Sequence, residues 1–223
     1  MVCQWHLGHS RSNFLPTHRG FDEFFGFYHA MGDHFSHSFK GAYDMWHEPR
    51  PNCGGDMSCA QIVDERGNYS SFVFAREAVR VVENHAKGLA AAREAGDEEQ
   101  PLFLYLSYAA PHGPWQVPPK YKLPEYFAAK WTKQRVKYAG MVTAADESLG
   151  HVIDALKRVK MWDDTLVVFT SDNGASKNGG GSNLPHKGFK CDAYEGGVIS
   201  DGSKCSCACY CVVALSRCGS VDY

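Results

Sequence analysis

The 223-residue chain has no apolar run approaching the 18 or so residues needed to cross a bilayer; the longest, residues 101–110, is strand-sized, which excludes a transmembrane helix. It also lacks an excess of either charge. Twenty-three Lys and Arg against 25 Asp and Glu leave a formal charge of −2, too little to mark a nucleic-acid or membrane-surface partner. The first residues, Met1-Val-Cys-Gln-Trp-His, lack the basic and apolar stretches of a secretory leader, so the start reads as a truncation. What is present is an ordinary globular balance, 44% hydrophobic and 22% charged, enough at this length for one domain with a sizeable core.

Seven of the eleven histidines lie before residue 48, in a stretch rich in Gly, Pro and aromatics that predicts loops and short turns. Ser70 or Ser71 can cap a helix running to about Lys87, with Phe72, Ala75, Val79 and Val82 on one face. Residues 88–100 read as a solvated loop or an extension of that helix. The continuous apolar run 101–108 predicts a strand buried on both faces. From about Thr132 to Val159, Tyr138, Met141, Val142, Ala145, Leu149, Val152, Ile153 and Leu156 recur at helical spacing. A second buried strand, Thr165 to Thr170, follows. Strand, helix, strand is a crossover unit whose strands run parallel, so residues just beyond their C-terminal ends converge on one sheet edge.

Those ends carry the residues with chemistry. Asp172 and Asn173 offer a carboxylate and an amide oxygen, the donors a hard cation prefers, although Asp-Asn-Gly is also a common turn tripeptide. His6 and His112 sit in loops beside apolar segments, positions that suit either a hydrogen-bonded structural histidine or a proton-transferring one. Lys190, between Gly188 and Glu195-Gly196-Gly197, is either a surface lysine or a fixed positive charge for an anion.

Several collinear motifs together resemble the sulfatase family, in particular its arylsulfatase B-like branch. They are Trp5-His6-Leu7-Gly8, Leu15-Pro16-Thr17-His18-Arg19-Gly20-Phe21-Asp22, residues 101–106, Pro111-His112-Gly113-Pro114, Tyr138 to Val142, Ser171-Asp172-Asn173-Gly174 and Lys190 to Gly197. The resemblance implies an alkaline-phosphatase-like α/β domain, truncated, with a mostly parallel central sheet and helices on both faces. It implies Ca²⁺-dependent hydrolysis of sulfate esters, on a small molecule or a sulfated glycan. Asp172 and Asn173 would ligate the Ca²⁺; His112 and Lys190 would bind sulfate and serve catalysis, and His6 would orient the nucleophile region.

Two departures stand against this. Gln4 occupies a position where the family has lysine, and none of the nine cysteines begins the Cys-x-Pro-x-Arg motif from which the family's formylglycine nucleophile is made. The expectation is therefore a fragment, or an incomplete gene model, that is inactive alone. A phosphodiesterase or phosphonate hydrolase of the same superfamily, and a non-catalytic binding fragment, are the alternatives.

The resemblance ends at Val198, which predicts a partial catalytic domain over residues 1–198 and an irregular, non-family, Cys-rich tail over 199–223. Cys53 and Cys59 could form a local disulfide in a secretory parent. Asn68-Tyr69-Ser70 is an N-glycosylation sequon, which fits a lysosomal or secreted parent protein.

Overall fold

The computed structural model describes residues 1–49, 60–122, 129–198 and, for the backbone, 210–216; Cys53 and Cys59 lie outside the described residues. In chain order the elements are β1 (Val2–Gln4), β2 (Phe24–Phe27), β3 (Ser38–Phe39), β4 (Ala42–Tyr43), β5 (Trp46–Glu48), β6 (Gln61–Ile62), α1 (Ser70–Ala95), β7 (Phe103–Tyr108), α2 (Lys133–Arg158), β8 (Thr165–Ser171), the single turn α3 (Glu195–Val198) and β9 (Tyr210–Ser216). Seven strands form one sheet in the order β6-β5-β2-β1-β7-β9-β8, and β3 pairs with β4. β1 runs parallel to β2 and β7.

Both long helices form where periodicity predicts them. α2 starts at Thr132, whose hydroxyl accepts from the Arg135 N–H and so satisfies one of the donors a helix start leaves open. Its Tyr138, Met141, Ala145, Val152 and Leu156 are buried. α1 begins at Ser70 without a side-chain cap on its own first turn, and it continues to Ala95, where Gly96 (φ 72°) closes it. Residues 88–95 of the stretch 88–100 are thus helix, as their alanines, Leu89 and Arg93 favour. The two helices pack on each other over Leu104 and Leu106, forming one core with Val2, Phe25 and Phe27.

The opposite face is covered only in part. Over β1 and β2, the single-turn 3₁₀ helices Ser12–Phe14 and Pro16–His18 bring Leu15 onto Cys3, Phe24 and Tyr28. Over β7 and β8 that cover thins out. β7 is buried or half-buried on both faces apart from Phe103 at its start, whereas Leu166, Val168 and Phe169 face solvent, so β8 lacks the two-sided burial expected of it.

The tail also departs from expectation. Residues 210–216 are not irregular but form β9, inserted between β7 and β8 and antiparallel to both, with Val212 opposite Leu106 on one side and Phe169 on the other. Tyr-Cys-Val-Val-Ala-Leu-Ser is a β-favouring run, and the backbone groups of two neighbouring strands demand partners. Since both neighbours oppose β9, β7 and β8 are parallel to each other, as the crossover pattern predicts.

At the N-terminal end of β2, Glu23, His47 and Glu77 come close enough to suggest a metal site. Arg80 already occupies the cationic role there, donating to both Glu23 and Glu77. The hydrogen bond from His47 and the Arg80 charge hold the Glu23 carboxyl down at about 2, so the cluster is an ion-pair network.

Close approach of β1 and β2 depends on Gly26, which sits at φ 148° and would place a Cβ 1.7 Å from the Cys3 carbonyl oxygen. Gly26→Ala is expected to cost at least about 3 kcal/mol by combining backbone strain with overpacking, read from the urea midpoint. A midpoint within error of the parent chain would show that the strand pair does not pack this closely.

Candidate active site

β1, β7 and β8 are parallel, so Gln4, Tyr108 and Ser171 all finish at one edge of the sheet. His6 follows the first of these ends. Pairing with the β2 end continues through Trp5 N–H to the Phe27 carbonyl (2.7 Å) and His6 N–H to the Tyr28 carbonyl (3.1 Å). The Trp5 indole N–H reaches the Gly8 and Phe14 carbonyls (2.9 and 3.0 Å), closing the turn that holds His6 at φ 49° with its side chain exposed. Gln4, the departure from the family's lysine, is half-buried, and its buried Oε1 has no hydrogen-bond partner among the described residues.

His112 follows the second end. Its Nδ1 lies 2.8 Å from the Gly113 carbonyl, an acceptor only, so Nδ1 carries the proton and Nε2 is the open nitrogen. Its backbone is pinned by a network that sequence patterns did not reveal. Buried His34 places Nε2 3.1 Å from the His112 carbonyl and Nδ1 2.8 Å from the Ser70 hydroxyl. Burial pushes the His34 imidazole down to about 4, so it is neutral, donating from Nε2 and accepting at Nδ1. Gln116 ties the same loops together, accepting from the His34 N–H (2.8 Å) and donating to Asp33 (2.6 Å).

Asp172 and Asn173 follow the third end. The Asn173 amide nitrogen donates to the Gly174 carbonyl (2.9 Å), turning the amide oxygen the other way. Asp172 is exposed at the rim, yet the protein around its carboxyl dries it enough to raise its pKa, while Lys190 and His112 pull in the opposite direction. Asp172 is therefore within electrostatic reach of both Lys190 and His112, although the three residues span 78 positions of sequence, from 112 to 190. Two hard oxygen donors on one loop fit a cation such as Ca²⁺ in kind, as part of a six- to eight-oxygen shell.

Lys190 owes its place to a knot of close backbone contacts. Buried Asn183 accepts from the Ala175 N–H (2.7 Å) and donates to the Ala175 and Gly188 carbonyls (3.1 and 2.9 Å), and the Lys190 N–H donates to the Ala175 carbonyl (2.9 Å). Gly174 and Gly196 meet so closely that a Cβ on Gly174 would lie 1.8 Å from the Gly196 carbonyl oxygen. Of the sequon, Asn68 is exposed, while the Ser70 hydroxyl is buried against His34.

The sequence profile of the family described as Sulfatase matches residues 1–198. This chain belongs to the sulfatase family. It is similar to arylsulfatase J of Mus musculus, 33% identical over 207 residues covering 91% of this chain and 31% of that protein. It also resembles N-acetylgalactosamine-6-sulfatase of Homo sapiens, 31% identical over 215 residues, 89% of this chain and 35% of that one. The crystal structure of Ps i-CgsB superposes with a TM-score of 0.70 at 25% identity, over 96% of this chain and 43% of that one. Its complex with k-i-k-neocarrahexaose gives a TM-score of 0.67 at 26% identity, over the same shares of the two chains. The sulfatase chain thus spans about a third of the length of these curated relatives, and its α/β sheet has the alkaline-phosphatase-like architecture of the family.

Two outcomes test this geometry. Gly174→Ala is expected to displace the Lys190 loop while leaving the α1–α2 core folded, seen as chemical-shift changes confined to residues 172–198; unchanged shifts there would contradict the close contact. His34 favours its neutral form when folded, so stability should fall as pH drops from about 6.5 toward about 4, where only the unfolded chain readily takes up the proton. Thermal midpoints measured across that range should show a shallower decline in His34→Gln.

Proposed function

We propose that the chain carries part of a site hydrolysing sulfate esters, R–O–SO₃⁻ plus water giving the alcohol and sulfate. The supporting observation is the shared strand edge, where Asp172 lies within electrostatic reach of both Lys190 and His112. Lys190 supplies a fixed positive charge for the sulfate oxygens. His112, its Nδ1 tied to Gly113, presents Nε2 to bind sulfate and to deliver a proton to the departing alcohol oxygen. His6, on the neighbouring strand end, orients the region from which attack comes. Asp172 and Asn173 would hold Ca²⁺, which when bound supplies further positive charge toward the ester.

No cysteine of this chain lies in the motif that yields formylglycine, so on this reading the chain holds no attacking group of the family's kind. Substrates in keeping with the relatives are small sulfate esters or sulfated glycans. A lysosomal or secreted setting, with Asn68 glycosylated, completes the reading.

The test is turnover of a chromogenic aryl sulfate in excess Ca²⁺ alongside binding of inorganic sulfate. The 223-residue chain is expected to show no turnover and weak Ca²⁺ binding that Asp172→Ala abolishes. Sulfate binding should weaken about tenfold in Lys190→Ala, as loss of a charge-assisted contact implies. Turnover lost in both variants would reveal an unrecognised nucleophile, and sulfate binding indifferent to Lys190 would overturn the site.

A further inference from the structure

The C-terminal end of β2 carries a second set of histidines that the site above leaves unused. Asp44, buried at 2% exposure, accepts from the Tyr28 N–H (3.2 Å), the His29 N–H (2.8 Å) and the Trp46 indole N–H (2.9 Å), and lies 3.0 Å from His29 Nδ1. A carboxylate ringed by donors accepts from a fourth, so Nδ1 of His29 carries the proton and Nε2 points away from Asp44. His9 meets the His29 ring edge-on, centroids 4.2 Å apart, and is itself stacked on Tyr28. Phe39 supports the other side of His29 at 4.9 Å.

This arrangement differs from that of His34, which is fully buried with both ring nitrogens engaged inside the protein. The His29 side chain is 37% exposed, and Leu7 and Met31 stand exposed nearby in sequence. A metal is the weaker fit, because among the described residues no third His, Cys or carboxylate joins the two imidazoles within ligating reach.

We infer that His29 and His9, backed by Asp44, form a subsite for a second anionic group, a sulfate or carboxylate, on the substrate glycan. The inference rests on the sulfate-ester reading above and names a substrate class for it. β2 lies two places from β7 in the sheet, roughly 10 Å, so the subsite and His112 are separated by a distance that neighbouring sugar units bridge. The loop after β2 also reaches the His112 loop directly, through His34.

Protonation gives the subsite a signature. The charged or titratable groups bearing on His9 are His29 and Asp44. Burial and the neighbouring His29 lower its pKa, while Asp44 raises it. Lys40, above the Phe39 ring, adds positive charge behind His29, and the Tyr28 hydroxyl is tied to Glu48. An anion between the two imidazoles relieves their mutual repulsion and draws a proton onto His9. Binding is then accompanied by proton uptake and tightens as pH falls.

The test follows the histidine ring signals of the 223-residue chain by NMR during titration with three probes: inorganic sulfate, a disaccharide bearing one sulfate, and its counterpart bearing two. The parent chain is expected to bind the doubly sulfated probe about tenfold more tightly than the singly sulfated one. That gain should shrink as pH rises from about 5 to about 8 and His9 loses its proton. It should vanish in both His29→Gln and His9→Gln, whereas inorganic sulfate still binds them in a Lys190-dependent way. A gain that persists in both variants, or that is independent of pH, overturns the subsite and leaves the sulfate-ester reading standing. Failure of all three probes, inorganic sulfate included, overturns both.

Discussion

The parallel direction of β7 and β8 is the constraint on which the rest depends. α2 carries the chain back across the sheet, its apolar stripe fixed against α1 and over Leu104 and Leu106, and the chain re-enters in the same sense. Were either strand reversed, His112 and Asp172 would lie at opposite edges with the length of the strands between their loops. The β1–β2 pair repeats the same logic. Its close contact at Gly26 brings His6 and the His29 loop to the edge where the other strands end.

What was legible in the sequence was whatever obeys a period or sits beside one. The stripe from Tyr138 to Leu156 announced α2, and the apolar runs announced β7 and β8 with their polar termini. The supporting interactions were not legible, because they join residues far apart in sequence through single hydrogen bonds. Asn183 holding Ala175 and Gly188, and His34 joining Ser70 to the His112 carbonyl, have no local pattern. The sequence offers Ser70 or Ser71 as a helix cap; in the fold the Ser70 hydroxyl serves the site's loop instead. β9 was missed for a related reason. Its pairing satisfies neighbours about forty to fifty, or more than a hundred, residues away, and composition alone carried no sign of that.

Division of labour among the histidines follows from burial. His34, shut away from water and uncharged, works as scaffolding. His112 and His29 each have one nitrogen fixed by an acceptor and the other available. Seven histidines crowd the first 47 residues, and the structure sorts several of them into these two kinds without any difference visible in their immediate sequence context.

Among the described residues β8 is an edge strand of the sheet, and it turns Leu166, Val168 and Phe169 toward water. A long apolar edge of this sort is a template for another strand. Held in isolation at high concentration, the chain is therefore expected to add copies of itself along that edge, and the same surface is where additional polypeptide gains most by docking. Soluble handling of this stretch of a sulfatase thus depends on shielding one strand, the same strand whose C-terminal end leads into Asp172.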